Sequence, residues 1–557
     1  MMPLTIRPRS GRKTHFWILT LAALVACAGG CSSARPGGAG TGSAGWPWSP
    51  DLGDGSFKNP VLFADYSDPD AIRVGGDYYL TASSFNCTPG LPILHSKDLV
   101  NWTIINHAIS NVPGPRYAEV QPGCGVWAPA IRFHAGKFWI FFPTPDEGIY
   151  VTTADDPAGR WSQPQLLKAG RGLIDPCPFW DDDGRAYLVH AWAFSRSGIK
   201  HILTLNRMSP DASRLLDDGQ TVFNGWPRHP TLEGPKLYKR NGYYYIFAPA
   251  GGVPGGWQVV LRAKNIFGPY EDRIVLAQGG TQINGPHQGA WVETLAGESW
   301  FLHFQDRGAY GRIIHLEPMK WVDDWPVMGQ ANGTGVGQPV LVGKKPDVGE
   351  TFPIQVPQTS DEFDSGRLGL QWQWQANAPD NWFSLAARPG WLRLYSVPPP
   401  AKAANLWLTP NLLLQKFPAP EFAVTTKLDF SGLAPGEKAG LVIMGMDYAC
   451  LAVERTQGGF QLVKTVCKAA PSGSREIPEQ IMPCAGDSVL LRVEVDRDAH
   501  CHFSCSAGGG KFIPMGESFV AREGKWIGAK VGLFCSVTGP ETNSGHADFN
   551  FFRFSAP

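Results

Sequence analysis

The sequence has little charge for its length and no excess of either sign. Charged residues make up 18% of its 557 residues, and 49 lysines and arginines balance 49 aspartates and glutamates. Proteins that bind nucleic acids or other polyanions carry a basic excess, so this balance argues against such partners. We therefore expect a neutral partner and, from the length, two or three folding units.

Zinc-type cysteine spacings and membrane-length apolar runs are also missing. Cys501 and Cys505 have no second pair at finger spacing, which argues against a zinc site. The nine cysteines that follow Cys31 are expected to be buried small residues or to form one or two disulfides. The apolar run at 16–26 is about half as long as a membrane-spanning helix.

Glycine (65 residues), proline (48 residues) and aromatic residues (12%) are, in contrast, plentiful. Aromatic residues at this level exclude a disordered chain, and so many helix breakers argue against a helical bundle. The composition favours an all-β protein that is rich in turns.

The N-terminus has the features of an export signal. Basic residues at 7–13 precede the apolar run, which ends in Leu24-Val25-Ala26-Cys27 and resembles the bacterial lipobox. Cys27 is therefore predicted to carry a lipid; Cys31 is the weaker candidate, and an ordinary signal peptide with an incidental cysteine is the alternative. We assign 1–27 to a lipoprotein signal peptide and 28–55 to a flexible tether. The protein is then exported and lipid-anchored in a bacterial envelope, facing the periplasm or the cell surface.

A strand cue recurs five times in the first part of the chain. The cue is Gly-x-x-Tyr/Trp followed by an apolar residue, and it starts at Gly76, Gly136, Gly184, Gly242 and Gly297. Each glycine lies in a turn signal before an alternating or aromatic strand, as in a hairpin of a repeated sheet. Five units at intervals of 48 to 60 residues predict a five-bladed β-propeller over 56–345, with four-stranded blades around a channel. A long β-sandwich with chance glycines is the alternative.

Equivalent positions upstream of the five glycines hold chemically active residues. They lie eight to ten residues before each glycine and are Asp68, Trp127, Asp175, Glu233 and His287. The innermost strands of a propeller line its channel, so these residues are expected to meet at one mouth of it. Any one acidic residue could start a strand as a turn residue. Three in register favour a functional site, because like charges raise each other's pKa and are costly otherwise.

Short motifs around these residues resemble glycoside hydrolase family 43 and keep its order. They are Asn59-Pro60-Val61-Leu62, Asp68-Pro69-Asp70, Gly125-Val126-Trp127-Ala128-Pro129, Ile174-Asp175-Pro176, Glu233-Gly234-Pro235-Lys236-Leu237, His287-Gln288-Gly289 and Tyr310-Gly311-Arg312. The resemblance implies an inverting glycosidase that needs no cofactor for its chemistry. It implies Asp68 as the general base and Glu233 as the general acid. Asp175 would raise the pKa of Glu233 and orient it.

The same resemblance implies which residues bind the sugar. Phe85 and Trp127 match positions whose rings pack on the sugar, with core packing as the alternative. Arg312 matches an arginine that hydrogen-bonds sugar hydroxyls, with a surface position as the alternative. His287 matches a histidine on the propeller axis near a calcium ion. One structural Ca²⁺ is therefore a hypothesis, beside sugar contact or a structural hydrogen bond for this histidine.

A second β domain is predicted over 346–557. Segments such as 422–430 and 489–495 alternate apolar and polar residues between Gly/Pro turns, as in a jelly-roll-like β-sandwich. The segment 547–554 resembles the closing strand of the concanavalin-like sandwich in many β-xylosidases of the family, where the sandwich helps to wall the pocket. An independent carbohydrate-binding module is the alternative.

These inferences predict an exo-glycosidase that releases xylose, arabinose or both from plant cell-wall oligosaccharides. β-Xylosidase and α-L-arabinofuranosidase activities are both compatible with the resemblance. Two other functions stay open at this point. An endo-acting enzyme would need an open groove, and a non-catalytic glycan-binding surface lipoprotein would not need the three carboxylates Asp68, Asp175 and Glu233.

Overall fold

Five sheets form the blades of a β-propeller, and two larger sheets after them form a β-sandwich. The structure is a computed structural model, and it describes residues 46–333, 335–537 and 545–557. The predicted all-β class, the five blades and the sandwich are confirmed.

Each blade contains four strands that pair in chain order, with the first strand innermost. Blade 1 contains the strands Asp70–Val74, Asp77–Thr81, Gly90–Ser96 and Trp102–Ile109, and blade 2 contains Ala130–His134, Lys137–Thr144, Gly148–Ala154 and Gln165–Ala169. Blade 3 contains Leu173–Trp180, Ala186–Trp192, Ile202–Met208 and Gln220–Asn224, and blade 4 contains Lys236–Arg240, Tyr243–Ala250, Trp257–Ala263 and Glu271–Leu276. Blade 5 contains His287–Glu293, Ser299–Asp306, Arg312–Val322 and Trp325–Met328. The short strands Gln330–Ala331 and Gly337–Gln338 extend the sheet of blade 4.

The repeated glycines lie in the hairpins between the first two strands of each blade, as predicted. At Gly136 and Gly242 the backbone is left-handed, with φ of +77° and +71°. A Cβ atom at either position would meet no other atom within 4 Å. The backbone conformation of these turns, rather than a lack of space, therefore selects glycine.

The ring of blades is closed by residues from both of its ends. Strand Ser56–Lys58 pairs with strand Val342–Lys344, which follows blade 5. The described end of the predicted tether also packs on the propeller: Trp48 Nε1 donates to the Pro60 carbonyl at 3.1 Å, and Lys345 Nζ lies 2.6 Å from Asp51 Oδ2. Residues 46–55 are therefore bound rather than a free tether, because an aromatic ring and a carboxylate in them find partners.

The sandwich packs its two sheets around one apolar core. The first sheet holds, in spatial order, Gln373–Trp374, Leu413–Lys416, Lys530–Val537, Glu437–Met444, Tyr448–Thr456, Gly459–Cys467 and Ile477–Pro483; the second holds Phe383–Ser384, Leu392–Tyr395, His546–Ser555, Phe422–Asp429, Ser488–Val495, His500–Ser506 and Ile513–Pro514, with Phe519–Val520 beside His500–Ser506. Every second side chain of Ser488–Val495 is buried, as the alternating sequence predicts.

Helices are few in the described part of the chain. They are the α-helix Phe194–Ser197 and the 3-10 turns Pro115–Ala118, Gly308–Tyr310, Asp380–Trp382, Leu406–Leu408 and Ala470–Ser472. A helix of the length and apolarity needed to cross a membrane does not occur among these residues. Cys27, Cys31 and the predicted signal peptide lie outside the described residues, so the lipid anchor stays a prediction.

The sandwich contacts the propeller through backbone hydrogen bonds and a shared core. Thr88 and Trp374 exchange backbone hydrogen bonds of 3.0 and 2.6 Å, and Ala529 N donates to the Ala309 carbonyl at 2.7 Å. Tyr310 of the propeller belongs to the apolar core of the sandwich. The close packing places a loop of the sandwich at the mouth of the propeller channel.

The nine cysteines in the described residues are all free. Seven of them are buried, and Cys124 and Cys484 are partly exposed. Of the two alternatives for these residues, the structure therefore favours small core residues over disulfides.

Candidate active site

All seven predicted site residues line one pocket at the mouth of the propeller channel. The pocket, together with the solvent-open space at its mouth, has a volume of about 540 Å³ and is lined by Asp68, Phe85, Trp127, Ala128, Ile174, Asp175, Glu233, Val253, His287, Gln288, Arg312 and Trp526. His287 starts the innermost strand of its blade, Asp68, Trp127 and Glu233 precede theirs, and Asp175 is the third residue of Leu173–Trp180, so all five lie near the strand starts that the repeat predicts. The pocket therefore brings three acidic residues from three blades together.

Asp68 is surrounded by hydrogen-bond donors. Its Oδ1 accepts from Arg312 Nη1 at 2.9 Å, and its Oδ2 accepts from the hydroxyls of Ser67 at 2.9 Å and Ser83 at 2.6 Å. Hydrogen-bond donors therefore face both oxygens of this side chain, and a carboxylate can accept at both. Asp68 therefore has the surroundings of a group that can accept a proton.

Asp175 and Glu233 have raised pKa values for the same main reason. Burial raises the pKa of the Asp175 carboxyl, and the charge of Asp68 raises it further. Burial also raises the pKa of Glu233, and the charges of Asp175 and Asp68 add to this effect. Repulsion between close carboxylates keeps a proton in the pocket at neutral pH.

The surroundings of these two carboxyl groups differ, and this difference determines which of the two holds the proton. Asp175 Oδ2 accepts a hydrogen bond from Gly234 N at 2.8 Å, and the buried Lys236 lowers the pKa of Asp175 by its charge. Glu233 Oε1 lies 3.5 Å from Nε2 of His287, and the charges of Arg312 and Lys200 lower the pKa of Glu233 without offsetting its burial. The donors favour an ionised Asp175, which leaves the proton on Glu233.

His287 is a neutral imidazole. Burial lowers its pKa to about 3, and the positive charge of Arg312 acts in the same direction. Within the described chain, neither of its ring nitrogens makes a hydrogen bond. Both nitrogens are therefore available to a hydroxyl or a water molecule.

The residues around His287 do not fit a calcium ion. Ca²⁺ prefers six to eight oxygen ligands, but His287 has the ring of Phe304 at 5.2 Å and the cationic Arg312 beside it. In 46–333, 335–537 and 545–557, no group of three or more His, Cys, Asp or Glu side chains is placed to hold a metal. A structural Ca²⁺ near His287 stays a prediction without support from this geometry.

Aromatic rings and one arginine complete the walls. The ring centroids of Phe85 and Trp127 are 6.2 Å apart, and both side chains face the pocket. Arg312 is buried, so the surface position considered for it is wrong. Its Nη1 is bound to Asp68 and to the hydroxyl of Ser67, and its guanidinium lies 4.9 Å from the centroid of Phe304.

The sequence did not indicate Trp526, which comes from the sandwich. Its ring lies 6.4 Å from that of Trp127 and closes one side of the pocket. Asp65 connects the loop that carries Trp526 to the propeller: Oδ1 accepts from Arg312 N at 2.9 Å, and Oδ2 accepts from Gly528 N at 3.0 Å. No local pattern could reveal this contact, because its partners lie 247 and 463 residues from Asp65.

The backbone at two of the carboxylates is also unusual. Asp68 and Asp175 have φ of +55° and +56°, in the left-handed region that residues other than glycine rarely adopt. Each such conformation costs about 1–3 kcal/mol and occurs mainly where function requires a side chain in a particular direction.

A donor-bound carboxylate and two carboxyl groups of raised pKa, in a pocket walled by aromatic rings, make up the active site of a glycoside hydrolase. The chain belongs to family 43 of the glycosyl hydrolases, whose model matches residues 57–326. A second model, the beta xylosidase C-terminal concanavalin A-like domain, matches residues 360–555.

Relatives over nearly the whole chain carry two kinds of name. A beta-xylosidase from Formosa agariphila is 32% identical, over 90% of this chain and 91% of its own. A non-reducing end alpha-L-arabinofuranosidase from Bacteroides ovatus is 28% identical, over 91% of this chain and 96% of its own. The crystal structure of a xylan beta-1,4-xylosidase from Bacillus halodurans is similar with a TM-score of 0.79 and 26% identity, over 89% of this chain and 99% of its own.

Proposed function

We propose that the protein is an inverting exo-glycosidase that releases xylose or arabinose from the non-reducing ends of plant cell-wall oligosaccharides. The observation that carries the proposal is the pairing of a donor-bound Asp68 with a Glu233 of raised pKa in one pocket. Inverting hydrolysis needs these two protonation states, a carboxylate that activates water and a carboxylic acid that protonates the leaving oxygen.

On one face of the sugar, Asp68 takes a proton from a water molecule as the water oxygen attacks the anomeric carbon and the glycosidic bond breaks. Arg312 Nη1 and the hydroxyls of Ser67 and Ser83 hold the carboxylate in one orientation before substrate arrives. A base that is already oriented does not have to be reorganised in the transition state.

In the same step, on the opposite face, Glu233 gives its proton to the departing glycosidic oxygen. Burial and the charges of Asp175 and Asp68 raise the pKa of Glu233, so the acid is protonated near neutral pH. The hydrogen bond from the Gly234 amide favours the ionised form of Asp175, which acts through Glu233 rather than on the sugar.

The shape of the site favours exo action. Trp526 of the sandwich closes one side of the pocket, whereas an endo-acting enzyme needs a groove that is open at both ends. The sugar ring would lie between Phe85, Trp127 and Trp526, whose faces suit the apolar faces of a pentose. Relatives with xylosidase and arabinofuranosidase names support both sugars, and the more similar of the two described above is a beta-xylosidase.

The proposal is tested with nitrophenyl β-D-xylopyranoside, nitrophenyl α-L-arabinofuranoside and xylobiose. We expect hydrolysis of at least one aryl pentoside, and NMR at early times should show the product anomer with inverted configuration. Retention of configuration would contradict the roles of Asp68 and Glu233. Inactivity on all three compounds would contradict the proposed substrates.

We also propose that the protein is exported and anchored through a lipid on Cys27. The support is the lipobox-like quartet Leu24-Val25-Ala26-Cys27 after a basic, then apolar N-terminus. Mass spectrometry of the mature N-terminal peptide should find a diacylglyceryl-modified Cys27 in the membrane fraction. A soluble mature protein that begins well beyond Cys31 would contradict the anchor.

A further inference from the structure

The three most exposed tryptophan and phenylalanine side chains of the described chain all belong to segments at the pocket end of the propeller. They are Trp226, Phe194 and Trp526, which are 64%, 61% and 47% exposed. Trp526 lines the catalytic pocket, but Trp226 and Phe194 do not. An aromatic ring left in water forfeits the free energy that burial would provide, so two such rings near an active site need an explanation.

The register of blade 3 places both rings at the catalytic rim. Leu173 pairs with Trp192, and Ile202 pairs with Asn224. Phe194 follows the second strand at this end, and Trp226 follows the fourth strand at the same end. Both rings therefore extend from the edge of blade 3 where Asp175 lies.

Two basic residues connect this rim to the pocket. Arg196, in the same helical turn as Phe194, has its guanidinium 5.1 Å from the ring centroid of Trp127. Lys200 is close enough to Glu233 to lower the pKa of that group by its charge. The exposed rings thus adjoin the wall of the pocket on the side of blades 2 and 3.

The loop that carries Trp226 is held in one conformation. Trp226 N donates to Asn224 Oδ1 at 3.0 Å, and Gly225 N donates to the His201 carbonyl at 2.8 Å. The Trp226 ring packs against the His201 ring at 5.5 Å, with 33° between their planes. One face of Trp226 is therefore supported while much of the ring stays in water, and binding to a ring already in place costs little side-chain entropy.

We propose that Trp226 and Phe194 form a second sugar-binding subsite, which takes distant units of the oligosaccharide on the leaving-group side of the cleaved bond. The inference rests on the proposed exo action. Once the non-reducing unit fills the pocket, the rest of the chain must cross the rim. A neutral β-linked pentose chain has apolar faces that stack on aromatic rings, and it needs no charged partner.

The subsite is tested by the dependence of hydrolysis on chain length. For Trp226→Ala we expect kcat/KM on xylohexaose to fall about tenfold, which corresponds to about 1.4 kcal/mol, while kcat/KM on xylobiose changes less than twofold. Phe194→Ala should act in the same direction, and the double variant should lose more than either single variant. The matched control is Leu295→Ala, since Leu295 is 63% exposed but lies in the first hairpin of blade 5, at the opposite rim.

Gel retardation by soluble xylan separates the subsite from the proposed catalysis. If the wild type hydrolyses no pentoside, the proposed function fails, while retardation that Trp226→Ala abolishes and Leu295→Ala preserves would still support the subsite. Equal losses on xylobiose and xylohexaose, or no loss on either, would overturn it. A change of mass in light scattering on Trp226→Ala would identify the rings as a self-association surface and would also overturn it.

Discussion

Replacing Asp175 by asparagine tests whether a neighbouring charge raises the pKa of Glu233, the proposed acid. The substitution removes the negative charge but keeps an oxygen that can accept the hydrogen bond from Gly234 N, now 2.8 Å from Asp175 Oδ2. The backbone around Glu233 should therefore keep its position. Any change in the pH profile then reports on the charge of Asp175.

The expected size of the effect follows from electrostatics. The pKa of Glu233 is raised from 4.5 to about 8, first by burial, then by Asp175 and then by Asp68. Two unit charges about 6 Å apart interact by about 2.8 kcal/mol at an effective dielectric constant of about 20, which is about 2 pKa units. Since burial and Asp68 remain, we expect Asp175→Asn to lower the pKa of Glu233 by about 1 to 2 units.

The assay is the pH dependence of kcat/KM on xylobiose. An acid catalyst must be protonated, so activity falls as the pH rises through its pKa, and a lower pKa moves the alkaline limb to lower pH. Asp181→Asn is the matched control, because Asp181 lies at the other end of blade 3 and pairs with Lys239. An alkaline limb that stays in place or moves to higher pH would refute the role of Asp175.

Four further predictions concern the proposed acid Glu233, the proposed base Asp68, the pocket wall at Trp526 and the calcium hypothesis. Glu233→Ala should slow hydrolysis of xylobiose about 10²- to 10⁴-fold, but that of nitrophenyl xyloside far less, because an activated phenol hardly needs protonation; equal sensitivity would contradict the assignment. Asp68→Ala should slow both substrates alike, since water must be activated whichever group departs. Asp65→Asn should weaken the hold on the Trp526 loop, because it removes a carboxylate oxygen that accepts from Gly528 N, and a hydrogen bond to a charged group contributes about 1.5–3 kcal/mol. We expect KM to rise more than kcat falls. An unchanged KM would contradict the role of Asp65 in holding this loop. If calcium is bound near His287, exhaustive chelation should lower the melting temperature in calorimetry, and an unchanged value would end that hypothesis.

The sequence could predict the propeller and the three carboxylates of its pocket because both follow from a repeat. Each blade has its own hairpin glycine, and the residue eight to ten positions upstream has an equivalent place in every blade. Rotation about the channel axis then brings Asp68, Asp175 and Glu233 together without any knowledge of long-range contacts. The alternation in Ser488–Val495 predicted the sandwich by the same kind of local argument.

The surroundings of the carboxylates could not be predicted in this way. The left-handed backbone of Asp68 and Asp175 and the buried Lys236 behind Asp175 depend on packing between blades. Local patterns carry periodicity and turn chemistry, but they do not state which side chains share a desolvated space. The resemblance indicated that the sandwich helps to wall the pocket, but not that Trp526 is the residue that does so.

The two domains contribute different parts of the pocket, so substitutions can change substrate specificity in this fold without changing the groups proposed for the chemistry. The proposed base Asp68 and the proposed acid Glu233 both belong to the propeller, whereas Trp526 belongs to a loop of the sandwich. Backbone N–H groups at the end of that loop donate to Asp65 and to the Ala309 carbonyl of the propeller. These two hydrogen bonds do not involve the side chains of residues 522–527. Substitutions in the loop can therefore reshape the wall that meets the glycan while the proton-transfer groups keep their positions.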